Sequence, residues 1–242
     1  MIQCNEKSFI EVMVKVIKKF VPVIFFKWYR HLRTIKNRGK TPKQIFSKIK
    51  EDNIWGSTES VSGTGSDLSQ TEVLIIELPK IFKEKQVRTV LDIPCGDFNW
   101  MKKINLSGIN YIGADIVDEI IKENVKKYST DNVKFVVVDV IKDILPESDI
   151  ILVRDCFVHL SYKSIFDAIE NIKKSCSLYL LTTTFTAREE NYDIVTGDWR
   201  PLNLQIKPFM FPIPDFIINE NCTEGNGKYK DKSLGLWDIK KL

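Results

Sequence analysis

Four aspartates and one histidine carry most of the chemistry this sequence can offer. Asp92, Asp115, Asp139 and Asp155 each lie at or near the end of a short apolar run. Between the first two, residues 92–97 read as a sharp turn, in which Gly96 is the one residue that lets a ligand approach the backbone closely. Asp115 follows Gly96 by 19 residues, the spacing expected of a carboxylate that grips both hydroxyls of a ribose. A nucleoside-containing ligand is therefore expected. His159 lies four residues past Asp155, and histidine is the usual proton acceptor near neutral pH. The alternative for His159 is packing against the ligand or capping a helix. Further on, Arg188, Asp193, Asp198, Trp199, Arg200 and Asn203 share one long loop. Trp mixed with Arg, Asp and Asn suits a polar, sugar-like or phosphorylated partner better than an apolar one. A solvated loop around a buried Trp is the competing reading.

These residues need a scaffold that brings them to one edge, and the apolar runs supply it. Val87–Ile93, Asn110–Asp115, Val133–Asp139, Asp149–Asp155 and Ser177–Thr184 read as buried strands. Helical stretches at Asp118–Tyr128 and Tyr162–Lys174 lie between them. Short apolar strands alternating with helices predict a parallel sheet covered on both faces. Phe216–Glu220 and Leu234–Ile239 fit a closing antiparallel pair around a Gly-rich turn at Thr223–Lys232. Upstream, a helix is predicted from Pro42 to about Glu51 and another from Thr71 to about Lys85, with Glu72 supporting its start. The Gly- and Ser-rich stretch between them, residues 53–70, is expected to be a lid over the ligand or a mobile loop. In such α/β sheets ligands bind beyond the carboxyl ends of the strands, where the four aspartates fall.

The nature of the ligand follows from charge. A dinucleotide site wants G-x-G-x-x-G, but that register holds Pro94, Gly96 and Asn99 here. Asp97 would place negative charge against a pyrophosphate, and no Walker-type lysine is present. S-adenosylmethionine carries ribose and adenine, no phosphate, and two positive groups, so carboxylates at this turn suit it. S-adenosylhomocysteine would be the product.

The residues also carry a family resemblance. Leu91–Met101 resembles motif I of class I S-adenosylmethionine-dependent methyltransferases, and Tyr111–Asp115, Phe135–Asp139 and Asp149–Leu160 resemble the next three motifs in order. The likeness covers about residues 85–242 and departs from the usual acidic-x-G-x-G-x-G pattern at Pro94 and Phe98. It implies a Rossmann-like α/β fold: seven strands in the order 3-2-1-4-5-7-6, the last antiparallel, with helices on both faces. It also implies that Asp92, Cys95 and Gly96 line the methionine end of the cofactor. Asp115 would take the ribose and Ile116 pack on adenine, with Asp139 at the adenine amine and Val140 beside it. Asp155 would face the methionine portion or the acceptor. More narrowly, Glu59–Ser66, the 94–97 turn, Thr196–Asn203 and Asp231–Trp237 resemble a bacterial subgroup similar to enzymes encoded among surface-polysaccharide genes.

Composition bounds the rest. The chain has 242 residues and is 43% hydrophobic, enough for a real core. Residues 1–50 hold 13 Lys/Arg against 2 Asp/Glu, whereas the remainder holds 23 against 30. A basic helical extension, residues 1–52, is thus expected on a mildly acidic domain, residues 53–242. Phe9–Ile24 reads as an amphipathic helix bent at Pro22, followed by the aromatic and basic stretch Val23–Arg30. It is expected to touch an anionic membrane face or a protein partner, or to lie on its own domain. Five scattered cysteines, Cys4, Cys95, Cys156, Cys176 and Cys222, point to reduced thiols, a cytoplasmic setting and no zinc site. No run approaches the ~20 apolar residues of a membrane span, and no signal-peptide cleavage site is recognised.

The leading expectation is methyl transfer to a hydroxyl of a small molecule or sugar, for a bacterial surface glycan such as capsule or lipopolysaccharide. His159 and Asp155 are the candidate catalytic residues, and Arg188, Asp198, Trp199, Arg200 and Asn203 the candidate acceptor contacts. Nitrogen in an amine or phosphoramidate is the nearest alternative acceptor. Nucleic-acid methylation is disfavoured, because Arg154–Phe157 lacks the Asn/Asp-Pro-Pro-aromatic signature and Cys156 has no proline partner. A non-catalytic binding module is the remaining alternative.

Overall fold

A computed structural model describes Asn37 and residues 39–242. The expectations for Phe9–Ile24 and Val23–Arg30 lie outside the described residues. Thr41–Leu242 form a compact unit of their own.

The first helix, α1 (Pro42–Glu51), starts where the sequence demands. Thr41 and Gln44 make a reciprocal capping box, Pro42 occupies the first turn, and Ile45 and Ile49 are buried. The second, α2 (Leu68–Glu84), begins three residues before the predicted Thr71. Its cap is not local: Glu59 accepts the Leu68 N–H at 2.9 Å from nine residues upstream. Such a cap leaves no signature beside the helix.

Seven strands follow: β1 (Thr89–Asp92), β2 (Asn110–Asp115), β3 (Val133–Val137), β4 (Ile150–Val153), β5 (Tyr179–Phe185), β6 (Phe216–Asn219) and β7 (Lys232–Asp238). Two helices, α3 (Asp118–Tyr128) and α4 (Tyr162–Lys174), fall within the bounds read from sequence. The sheet order is β3-β2-β1-β4-β5-β7-β6, with β7 antiparallel to both neighbours and the other pairings parallel. Order and closing strand are those expected.

The two-residue period of the strands divides the core between the faces. Val90, Ile150 and Leu152 pack with Leu74, Leu78 and Phe82 of α2 and Ile121 of α3. Leu91, Ile151 and Val153 point the other way, against Ile165, Ile169 and Ile172 of α4. Helices on both faces leave the carboxyl ends of β1, β2 and β4 as the open edge. β7 starts at Lys232, two residues before the expected Leu234. A lysine at the head of a buried strand reads as loop in the sequence, yet this one is buried and paired with two acids from elsewhere.

Candidate active site

The turn after β1 and the end of β2 build the first half of the site. Gly96 sits at φ +53°, a conformation side chains rarely adopt, and its N–H donates to Asp115 Oδ2 at 3.2 Å. Val117 N–H donates to the other carboxylate oxygen at 2.9 Å. Two residues on, Phe98 also takes positive φ, 60°, where the family pattern has glycine. Its ring is held among Tyr111, Tyr128 and Phe135 at 5.1–5.4 Å, so packing offsets the backbone strain.

Asp92 is buried and accepts from Tyr111 Oη–H at 2.6 Å. Burial raises its carboxyl to about 7, against the opposing effect of the tyrosine. Burial likewise raises Asp115 to about 6. Neither has a salt bridge among the described residues. Cys95 is buried beside them, its thiol pushed far up by desolvation, which makes it a small apolar wall rather than a nucleophile. Asn124 Nδ2 ties the turn down through Gly96 O at 2.7 Å.

These groups line a cleft of about 1050 Å³ including its open mouth. Ile116, Val140 and Ile141 form an apolar flank, and Asp139 closes it. Asp139 also does structural work, accepting the Ile141 N–H at 3.0 Å and pairing with Lys142 at 3.6 Å. Further lining comes from Pro42, Phe46 and Lys50 of α1 and from Trp55, all outside the motifs, and from Val61 and Ser62 within the Glu59–Ser66 stretch.

Residues 57–67 are latched across the turn. Asp97 accepts from Ser60 Oγ–H at 2.9 Å and Val61 N–H at 3.0 Å, and Asn99 donates to Glu59 at 2.8 Å. Ser62 lies so close that a Cβ on Gly96 would come within 2.0 Å of its Oγ.

A second cavity, about 820 Å³ including its mouth, opens beside the first. Its aromatic side is Phe185, Trp199 and Tyr229, with Trp199 and Tyr229 at 4.9 Å, and its polar side holds Lys232 and Glu224. Four residues line both cavities: Trp55, Ser62, Asp155 and His159.

Asp155, at φ +51° after β4, accepts from Lys232 Nζ at 2.6 Å, with Arg154 at 3.5 Å. Burial alone would raise its carboxyl, but these two cations hold it at about 2. Behind it Glu220, which is buried, takes Arg154 at 2.6 Å and Lys232 at 3.5 Å. Two cations and one anion are thus removed from water beside the half-buried Asp155, and Arg154 donates in addition to Gly65 O of the latched segment at 2.8 Å.

His159 Nδ1 lies 2.9 Å from the Asp198 carbonyl oxygen. A carbonyl only accepts, so Nδ1 carries the proton and Nε2 keeps the lone pair. Burial lowers the imidazole's proton affinity, outweighing nearby Asp155, so the ring is neutral at pH 7.

The long loop distributes its polar residues differently from the expectation. Trp199 lines the second cavity, and Asp198 holds His159 through its backbone oxygen. Arg188, Arg200 and Asn203 line neither cavity. Arg188 pairs with Asp231 at 2.6 Å and donates to Lys228 O. Arg200 is fully buried and donates to Phe157 O and Tyr192 O. Asn203 fastens Arg188 O and Gln205 N–H, and Asp193 accepts the first N–H of α4. A loop of this length crossing a core must satisfy its own backbone, and these side chains do that. Sequence reasoning missed Phe46, Trp55, Glu220, Glu224 and Lys232. Trp55, an aromatic in a polar stretch, carried a local signal, and Lys232 lay within the resembling stretch Asp231–Trp237.

No protein-family profile matches the chain, and no curated protein matches it. Solved structures do. PigF with SAH aligns at a TM-score of 0.59 and 13% identity, over 93% of this chain and 72% of that one. Human N-acetylserotonin methyltransferase (ASMT) in complex with SAM aligns at 0.52 and 14%, over 86% of this chain but only 58% of that one. The N-methyltransferase NodS from Bradyrhizobium japonicum WM9 aligns at 0.51 and 12%, over 72% and 98%. The chain shares the fold of these three structures. At such identities the likeness concerns the fold, and chemistry has to be argued from the site.

Proposed function

We propose that this chain is an S-adenosylmethionine-dependent methyltransferase acting on a small polar acceptor. The observation that carries the reading is the junction: two cavities share His159, Asp155, Trp55 and Ser62, as transfer between two bound molecules requires.

The residues present fit the cofactor. Asp92 and Asp115 are buried carboxylates lining one cleft without an ion-pair partner among the described residues, an arrangement that favours a cationic ligand. Asp115 uses one lone pair on each oxygen for backbone N–H groups, which leaves one on each for a ribose. Ile116 and Val140 offer an apolar flank for adenine, with Asp139 at its edge. Cys95, Gly96 and Asp92 surround the methionine end. Bound there, S-adenosylmethionine supplies an electrophilic methyl group on a positively charged sulfur, leaving S-adenosylhomocysteine.

His159 Nε2 takes the proton from the acceptor as its oxygen–carbon bond forms. Asp155 is anchored by Lys232 and keeps a fixed negative charge between the cavities. Alignment of the two molecules supplies the larger part of the acceleration. In the second cavity, Trp199, Tyr229 and Phe185 provide faces for a ring and Glu224 an acceptor for hydroxyls, which supports a sugar or sugar-like substrate. The sequence likeness to surface-polysaccharide enzymes supports a glycan precursor as that substrate, and hydroxyl as the atom methylated. An amine acceptor would use the same base.

The described cysteines are all free, which supports a reducing, cytoplasmic setting. No described helix is long and apolar enough to cross a membrane. The basic N-terminal arm ahead of α1 is proposed to seat the domain on an anionic membrane face or a protein partner.

The test is calorimetric titration of S-adenosylmethionine into the protein and into Asp115→Ala, followed by S-adenosylhomocysteine release with panels of sugars, sugar nucleotides and amines. Binding lost in the variant supports the assignment. A folded protein that binds no cofactor overturns it.

A further inference from the structure

Trp55 stands outside every motif, yet three elements converge on it. Its ring lies 5.0 Å from the His159 imidazole at 35°, within the range of attractive ring contacts. On another side it meets Phe46 of α1 at 6.4 Å. The latched segment passes directly over it: Gly63, at φ +90°, approaches so closely that a Cβ there would come within 2.9 Å of Trp55 Cβ. Beyond its own turn, His159 is hydrogen-bonded among the described residues to the segment at Gly197 and Asp198. Its Nδ1–H bonds to Asp198 O, and the backbone of Val158 and His159 is tied to Gly197 and Arg200 N–H.

We propose that Trp55 is a positioning residue for His159, clamping the imidazole against the Asp198 carbonyl so that Nε2 stays unprotonated and directed to the junction of the two cavities. The proposal rests on the reading of His159 as the base and adds the element that orients it. Physically, an imidazole held by one hydrogen bond can rotate about its side-chain torsions, and a flat apolar neighbour removes that freedom while excluding water. The charged groups that act on the ring are Asp155, which favours its protonation, and Arg200 and Lys232, which oppose it. Trp55 sets an apolar ring, not a charge, against the imidazole. Loss of that cover would readmit water, stabilise the imidazolium and free the tautomer.

The chain has two histidines, His31 and His159, so His31→Gln leaves one imidazole to observe without any need for the acceptor. In that background, nitrogen-15 and proton NMR titration reads both midpoint and tautomer. The parent is expected to titrate below the ordinary ~6.5 as the Nδ1–H tautomer. Trp55→Ala is expected to raise the midpoint by roughly half to one pH unit and to mix the tautomers, whereas Trp55→Phe returns both most of the way. A Trp55→Ala protein with the parent's midpoint and tautomer overturns the proposal. Should Trp55→Ala fail to fold, Trp55→Leu decides it, since leucine keeps apolar bulk but no ring face. Calorimetry with S-adenosylmethionine on the His31→Gln parent separates the two claims. Absent binding defeats the methyltransferase reading while the Trp55 result stands, and binding with an unmoved titration defeats only the role of Trp55.

Discussion

Gly96 and Asp115, 19 residues apart, are joined by a 3.2 Å hydrogen bond from the glycine N–H to the aspartate Oδ2. The bond fixes the turn after β1 to the end of β2 and orients the carboxylate toward the cleft both residues line. Asp115→Ala should remove hydrogen bonds from a charged group to the ribose, a loss of about 1.5–3 kcal/mol, or roughly 10- to 100-fold in cofactor affinity. Wild-type affinity should also fall as pH drops through about 6, where the buried carboxyl takes up its proton. Calorimetry at pH 5.5 and pH 8 checks both, and a pH-independent affinity in the wild type would remove Asp115 from the ribose.

The same burial has a consequence for stability. Asp92 titrates at about 7 and Asp115 at about 6 in the folded protein, against about 4 in an unfolded chain. Between about pH 4 and 7 the folded state therefore binds more protons than the unfolded one, and stability falls as pH rises through that window. Asp92→Asn keeps the size and an oxygen for Tyr111 but has no charge to desolvate. Its ligand-free melting temperature should exceed that of wild type at pH 8 and approach it near pH 5, while cofactor affinity decreases. Parallel curves for the two proteins across this range would show that Asp92 is not the group responsible.

The buried ion cluster makes a third prediction. Glu220 is the closest partner of Arg154, at 2.6 Å, and both side chains are almost fully shielded from water. Glu220→Ala would leave a buried guanidinium with only the longer pair to Asp155, at 3.5 Å, as its remaining ion pair among the described residues, at a cost of about 3–5 kcal/mol. Urea unfolding should show a lower midpoint with an unchanged slope. Glu220→Gln, which keeps a hydrogen-bond acceptor, should lose less. A loss under about 1 kcal/mol for the alanine variant would mean that the pair behaves as a surface contact.

The contrast between Asp115 and Glu220 marks what was legible in the sequence. Strand-end aspartates announce themselves because parallel strands are apolar on both faces, so a carboxylate stands out and its position places it at the open edge. The order of strands came from resemblance, and the alternation of strand and helix gave the layers. Glu220 and Lys232 carry no such mark: their partners Arg154 and Asp155 lie 66 and 77 residues away, and a lone charge beside a turn looks like a solvated one. Arg188, Arg200 and Asn203 are the opposite case, lining neither cavity. Their polarity was visible, but polarity alone does not distinguish a side chain that greets a ligand from one that satisfies its own loop. The wall supplied by α1 was hidden because its contacts with the cleft depend on tertiary packing of Phe46 and Lys50, outside any spacing rule.

The latched segment provides the last prediction. Gly96 has a positive φ, and a methyl group there would also lie 2.0 Å from Ser62 Oγ. Gly96→Ala therefore carries two separable penalties: backbone strain within the turn, and displacement of the segment that Asp97 and Asn99 hold down. Ser62→Gly removes the second but not the first. If the segment covers the cofactor, Gly96→Ala should weaken S-adenosylmethionine binding and raise amide exchange across residues 60–66. The double variant should restore slow exchange in those residues while recovering only part of the affinity. Asp97→Ala, which leaves the turn glycine intact but removes the acceptor of Ser60 and Val61, should reproduce the fast exchange without the strain and speed cofactor release. Hydrogen exchange with and without S-adenosylmethionine reads the wild type and all three variants. Equal exchange in residues 60–66 of the wild type, bound and free, would mean that the segment is a fixed wall of the cleft and that its latches serve the fold alone.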